Sequence, residues 1–147
     1  MAAREHSVDT LVSLFQEELA AVQVYGQALA RLEHARARDK LRELCKDHER
    51  RAQLLRERLE LLGRTPPDTQ GRGTGFSKLS NLGSSDLSIS TQSVVQSMAE
   101  GEEYELQDYV NKLPSLDEET RRFVEDELLS AQRRTHSEAR ELQRTLH

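Results

Sequence analysis

Apolar residues recur along most of the chain at alternating spacings of three and four, the pattern of amphipathic helices. The first helix is predicted at about residues 9–33, with the inward positions Leu11, Leu14, Phe15, Glu18, Val22, Tyr25, Leu29 and Leu32. The second is predicted at about residues 37–62, with Leu41, Leu44, Cys45, His48, Ala52, Leu55, Leu59 and Leu62. Ser7 or Asp9 is the predicted N-cap of the first helix, and Gly63 ends the second.

The same spacing continues in the second half of the chain. A third helix is predicted at about residues 90–112, with the stripe Val94, Val95, Met98, Glu102, Leu106, Tyr109 and Leu113, and Pro114 closes it. A fourth is predicted at about residues 116–146, with Ser115 as its cap and the stripe Val124, Leu128, Ala131, Thr135, Ala139, Leu142 and Leu146.

Residues 64–88 shift to Gly, Ser, Thr and Pro and separate the two helical pairs. About 25 extended residues can reach up to ~80 Å, enough to cross the length of a bundle. The pattern therefore predicts one all-α domain over residues 1–147, a four-helix bundle with a long crossover between its second and third helices. A disordered tether at 64–88 and an up-down-up-down bundle are the alternatives.

Composition narrows the functional classes. Charged residues make up 32% of the chain and aromatic residues 4%, which suits solvated helices rather than a β-sandwich. The net charge is −5 and the basic residues are interleaved with acids, so we expect no nucleic-acid partner. No apolar run is long enough for a membrane span. The single cysteine, Cys45, is consistent with the cytoplasm.

Ionisable residues interrupt three of the four apolar stripes, at Glu18, His48 and Glu102, and Glu127 is the nearest equivalent on the fourth. In the crossover topology these four positions agree in depth within roughly 8 Å, at 1.5 Å per residue. Inward carboxylates and histidines at one level of a bundle are typical of carboxylate-bridged metal sites. They are therefore candidate metal ligands.

Each of these residues also has a simpler interpretation. The three glutamates can lie at the edge of the helix seam and reach solvent or an arginine such as Arg51 or Arg134, and His48 can be a hydrogen-bonded core histidine. Cys45 is then a small apolar filler. If the carboxylates are buried without metal, we expect arginine or raised pKa values to neutralise them. Their replacement by glutamine should then leave stability unchanged or higher.

Several segments resemble the ferritin-like superfamily, and in particular a little-characterised bacterial branch of unknown function. The segment 18–25, Glu-Leu-Ala-Ala-Val-Gln-Val-Tyr, resembles the ligand and core tyrosine of the first ferritin-like helix. Further similarities are the helix end at Leu62–Gly63 followed by Pro66, the Gly-Glu-Glu at 101–103 and the Thr-His at 135–136. The resemblance covers most of the chain and implies a ferritin-like bundle.

The chain departs from that family where di-iron centres need Glu-x-x-His on the second and fourth helices. Cys45 stands three residues before His48, and Arg133 stands three before His136. We therefore expect no stable di-iron centre and no required cofactor. The favoured function is a ferritin-like bundle whose metal site is degenerate and which acts as a non-catalytic assembly or interaction module. The alternative is an iron- or zinc-binding protein with storage or oxidase activity. We also expect a homo-oligomer.

Overall fold

The computed structural model describes residues 2–68 and 90–146, and these residues form four helices. Helix α1 is Ala2–Arg31, α2 is Ala35–Leu61 and α3 is Thr91–Lys112. A short 3₁₀ turn, Leu113–Ser115, leads to the fourth helix. That helix consists of α4 (Glu118–Phe123), a π-helical stretch (Val124–Leu129) and α5 (Ser130–Thr145). The all-α prediction is confirmed, and within these residues there is no strand.

Two of the predicted helix caps are wrong. Helix α1 already begins at Ala2, and the buried Ser7 hydroxyl accepts a hydrogen bond from the backbone N–H of Asp117 at 2.9 Å. The fourth helix is capped by Asp117, whose side chain accepts from the N–H of Thr120 at 2.8 Å, and Ser115 instead lies in the preceding 3₁₀ turn. The acid is favoured there because it also faces the positive end of the helix dipole.

The predicted stop at Gly63 is confirmed. Gly63 has a φ of 83°, which is the left-handed region that glycine adopts without a Cβ clash. Its N–H donates to the carbonyl of Glu60 at 3.0 Å, and the N–H of Arg64 donates to the carbonyl of Leu59 at 2.9 Å. These two bonds form a Schellman motif and satisfy carbonyls at the end of α2.

Contacts between helices fix their directions. Along α1, Asp9 pairs with Arg64 at 3.1 Å, whereas Val22 lies near Cys45, so α1 and α2 are antiparallel. Ser13 accepts from Lys112 at 3.0 Å and Tyr25 donates to Glu102, so α1 and α3 are also antiparallel. Helices α2 and α3 therefore run in the same direction. The path of the connection between them lies outside the described residues.

The π-helical stretch adjusts the phase of the fourth helix. Through it the buried pairs Phe123–Val124 and Leu128–Leu129 are spaced by five residues. After it the spacing returns to three and four, at Thr135, Ala139 and Leu142. A π turn is wider than an α turn, so it keeps both ends of the helix facing the core.

Candidate functional site

A layer of polar side chains crosses the middle of the bundle and separates two apolar clusters. All four helices contribute to it, and every member is buried. We call it the polar layer; it consists of Glu18, Tyr25, His48, Arg51, Glu102, Glu105, Tyr109, Gln132 and Thr135. Burying this many polar groups is costly unless each is paired, so their contacts decide the chemistry of the layer.

His48 lies between two carboxylates. Its Nδ1 is 2.6 Å from Oε1 of Glu18, and its Nε2 is 2.7 Å from Oε2 of Glu102. Both ring nitrogens must carry a proton to donate to both acids, which requires the imidazolium form. Burial and the nearby Arg51 lower the pKa of His48, but the charges of Glu102 and Glu18 outweigh them and raise it.

The two carboxylates that flank His48 remain ionised. Burial by itself would raise the pKa of Glu18, but Arg51 and His48 lower it to about 2. The pKa of Glu102 is also lowered, chiefly because the charge and hydrogen bond of His48 outweigh burial. Of the two predicted means of neutralisation, a nearby arginine rather than a raised pKa applies to Glu18, and for Glu102 the charge of His48 has the larger effect.

Two tyrosines donate hydrogen bonds to the two carboxylates that flank His48. The hydroxyl of Tyr25 donates to Oε2 of Glu102, and the hydroxyl of Tyr109 donates to Oε2 of Glu18. Burial and the adjacent carboxylates raise both tyrosine pKa values well above their ordinary value. Both tyrosines are thus neutral donors, as expected for core tyrosines with satisfied hydroxyls.

Arg51 provides the second positive charge of the layer. Its side chain is fully buried. Its Nη1 is 3.5 Å from Glu18 Oε2 and 3.4 Å from Glu105 Oε2, and it also donates to Oε1 of Gln132. Its Nε donates to Asp47 at 2.8 Å. Burial opposes its charge, but the neighbouring carboxylate of Glu18 raises the pKa of Arg51 above its ordinary value, so it stays cationic.

Glu105 differs from the other two acids of the layer. Burial and the neighbouring charge of Glu18 raise its pKa well above the ordinary value, which favours its protonated form. With Glu105 protonated, the layer contains two anions, Glu18 and Glu102, and two cations, His48 and Arg51. This charge balance is what permits such a group to be buried.

The fourth helix contributes neutral donors rather than an acid. Nε2 of Gln132 donates to the side chain of Glu102 at 2.9 Å and to its backbone carbonyl at 2.8 Å. Oγ1 of Thr135 donates to Oε1 of Glu102 at 2.7 Å and lies 3.0 Å from Nη2 of Arg51. Glu127 is outside the layer: it is exposed and lines a surface groove beside Arg58.

Three of the four candidate ligands are therefore brought together, namely Glu18, His48 and Glu102. The layer also includes Glu105, which interrupts none of the predicted apolar stripes but is only 3% exposed. Glu105 and Arg51 each stand three residues after a recognised inward position, Glu102 and His48. That i,i+3 spacing places them on the same helix face and was the available signal.

A metal ion could use part of this layer. Glu18, His48 and Glu105 each offer one ligand atom, and these atoms lie within 4.8 Å of one another. However, both carboxylates are within 3.5 Å of Nη1 of Arg51. A divalent ion about 5 Å from that charge would be repelled by about 7 kcal/mol at an effective dielectric constant of ~20. The donor set thus fits a guanidinium better than a metal ion, and it does not fit a di-iron centre.

No family model matches the chain, and comparisons with curated proteins and with solved structures found no match either. Within residues 2–68 and 90–146, none of the helices is long and apolar enough to span a membrane.

Proposed function

We propose that the chain is a non-catalytic helical module for assembly or interaction, in which Arg51 occupies the place of a metal ion. The observation that carries this proposal is the complete burial of the Arg51 guanidinium against Glu18, Glu105 and Gln132. A reaction centre needs a group that can be reached by substrate and changed by it. Here the charged groups are enclosed and balance one another.

A buried ionic layer of this kind suits a scaffold. Each helix contributes at least one partner at the same level, so sliding one helix by a turn of ~5.4 Å would separate the charges. The layer thereby favours one register of the four helices. A fixed register keeps the outer faces in constant relative positions, which is what an assembly module requires.

We also propose a ferritin-like origin and a crossover between α2 and α3. The parallel direction of these helices supports the crossover, because the end of α2 and the start of α3 then lie at opposite ends of the bundle. The inward acids and histidine at one level support the origin. An arginine inside the layer is consistent with a former metal site in which the side chain of Arg51 now supplies the positive charge.

Metal binding is the second candidate function, and one observation favours it. Oε1 of Glu105 is buried without a hydrogen-bond partner among the described residues. A carboxylate oxygen next to Glu18 and His48 is the kind of atom that binds iron or zinc. On this alternative, the ion would be held by Glu18, His48 and Glu105, and storage or oxidase activity would follow from iron.

The two candidates are separated by metal analysis of protein purified without an affinity tag. Elemental analysis and anaerobic Fe(II) titration should show no stoichiometric metal in the wild type. Arg51→Met should increase affinity for Fe(II) or Zn(II), because it removes the competing cation. Arg50→Met is the matched control, since the side chain of Arg50 is 48% exposed and lies 3.7 Å from Asp47 on the same helix. Stoichiometric metal in the wild type would establish the second candidate instead.

A further inference from the structure

An apolar patch with charged neighbours lies on the outer face of α2, near its C-terminal end. Leu61 is 77% exposed, although it is the kind of residue normally buried. It forms one wall of an open groove of about 300 Å³, whose other lining residues are Leu54, Glu57, Arg58, Phe123 and Glu127. We call these six residues the α2 patch. The patch therefore offers both an exposed leucine and a groove in which a leucine of another molecule could pack.

The spacing of the α2 patch makes it complementary to itself. Leu54, Glu57, Arg58 and Leu61 follow one another by three, one and three residues, so they share one helix face. If two copies of α2 pack antiparallel about a two-fold axis between positions 57 and 58, Leu54 faces the partner's Leu61. In the same register Glu57 faces the partner's Arg58. The two-fold axis repeats both contacts.

The charges of the patch favour this arrangement. Arg58 lies over the ring of Phe123, 4.2 Å from its centroid, and is 3.9 Å from Glu119, so it is held beside the groove. Glu57 is exposed at the same level. One acid and one base at adjacent positions attract in the antiparallel register, since a two-fold contact brings the same surface of both copies together.

We propose that a second copy of the chain docks on the α2 patch, so that Leu61 of each copy packs against Leu54 in the groove of the other. This inference rests on the proposed assembly role and names the surface that would perform it. The partner is a second copy of the chain because the apolar contacts and the ion pairs both form in the same antiparallel register. Binding of an unrelated partner would not require this self-complementary spacing.

The experiment is sedimentation velocity with the full chain over a wide concentration range. Wild type should sediment as a dimer, with twice the monomer mass of 16.8 kDa. Leu61→Glu should weaken dimerisation at least tenfold. Val110→Glu is the matched control, because Val110 is an exposed apolar residue on a different helix, α3. Circular dichroism should show that both variants keep the helical fold.

Charge reversal tests the register. Glu57→Arg and Arg58→Glu should each weaken the dimer, because each places like charges opposite one another. The double variant, with both changes in one chain, should recover it, since the two ion pairs form again with reversed sign. A dimer that Leu61→Glu and both reversals leave unchanged would overturn the α2 patch but keep the assembly role. A wild type that stays monomeric would overturn the patch and self-assembly together, while the metal analysis of Arg51 would still stand.

Discussion

Replacement of Arg51 by methionine is the most direct test of the polar layer. Methionine keeps much of the side-chain volume in the interior, so the main loss is the charge and its donors. Glu18 and Glu102 would then share the single positive charge of His48, and one negative charge would be left without compensation. Gln132 and Thr135 would also lose a contact with the guanidinium.

The expected magnitude follows from these losses. Removal of one partner from a buried ionic group costs about 3–5 kcal/mol, out of a total of ~5–15 kcal/mol for a typical domain. For a chain of this size, each kcal/mol lowers Tm by ~2–4 °C, so Arg51→Met should lower Tm by roughly 6–20 °C. Arg50→Met should change the free energy of unfolding by less than about 0.5 kcal/mol, as a surface substitution.

The assay is urea denaturation followed by circular dichroism at pH 7. A double-mutant cycle with Glu18→Gln separates charge from packing, because Gln removes the uncompensated negative charge. The coupling energy between Arg51 and Glu18 should be about 1–3 kcal/mol. The interpretation of Arg51 as the central cation is refuted if Arg51→Met costs less than about 1 kcal/mol or if the cycle shows no coupling.

Three other substitutions test the protonation states and the helix end. Glu105→Gln should stabilise the protein increasingly above pH 4.5, by up to ~1.4 kcal/mol per pH unit, because folded Glu105 holds its proton while the unfolded chain releases it. Glu18→Gln should cost about 3 kcal/mol at pH 7, in contrast to the unchanged stability expected from the sequence, because the folded pKa of Glu18 is about 2 and its charge is paired. This loss should disappear as the pH falls from 4.5 towards 2. Urea denaturation at a series of pH values measures the effect of both substitutions on the free energy of unfolding, with Glu100→Gln, at an exposed position, as the control. An effect that does not change with pH would contradict the pKa shifts of Glu105 and Glu18. Gly63→Ala should destabilise the protein by about 1 kcal/mol because of the positive φ at this position. Gly26→Ala, with no atom within 4 Å of the added Cβ, should stabilise it by up to about 1 kcal/mol. Equal effects of the two substitutions in thermal melts would contradict the left-handed helix end at Gly63.

The sequence predicted the helices because their burial patterns are long and regular. It also identified Glu18, His48 and Glu102 as inward residues, since each stands where the period requires an apolar side chain. The helix ends were predicted less well. The hydroxyl of Ser7 is a suitable cap, but in the structure it accepts a hydrogen bond from the N–H of Asp117 instead. Local propensity cannot distinguish these two uses, because the second depends on a residue 110 positions away.

The remainder of the layer depends on tertiary contacts. Arg51 was considered as a partner at the seam edge, but its full burial follows from acceptors on α1, α3 and the fourth helix, which no single stripe reveals. Glu127 is a ligand candidate only because it is the acid nearest to the predicted stripe, which includes Leu128 and Thr135. The structure buries Leu128 and Thr135 and leaves Glu127 exposed, so Thr135 and Gln132 supply the contacts of the fourth helix.

The polar layer has a consequence for how the bundle opens. The two apolar clusters on either side share no member, and each draws on all four helices, so each half has a small core of its own. Segments with separate cores tend to act as separate cooperative units. The contacts that join the two halves are then ionic rather than apolar. Loss of charge balance in the polar layer should therefore let the halves open independently. We expect the amide hydrogens of one half to exchange while the other half stays closed.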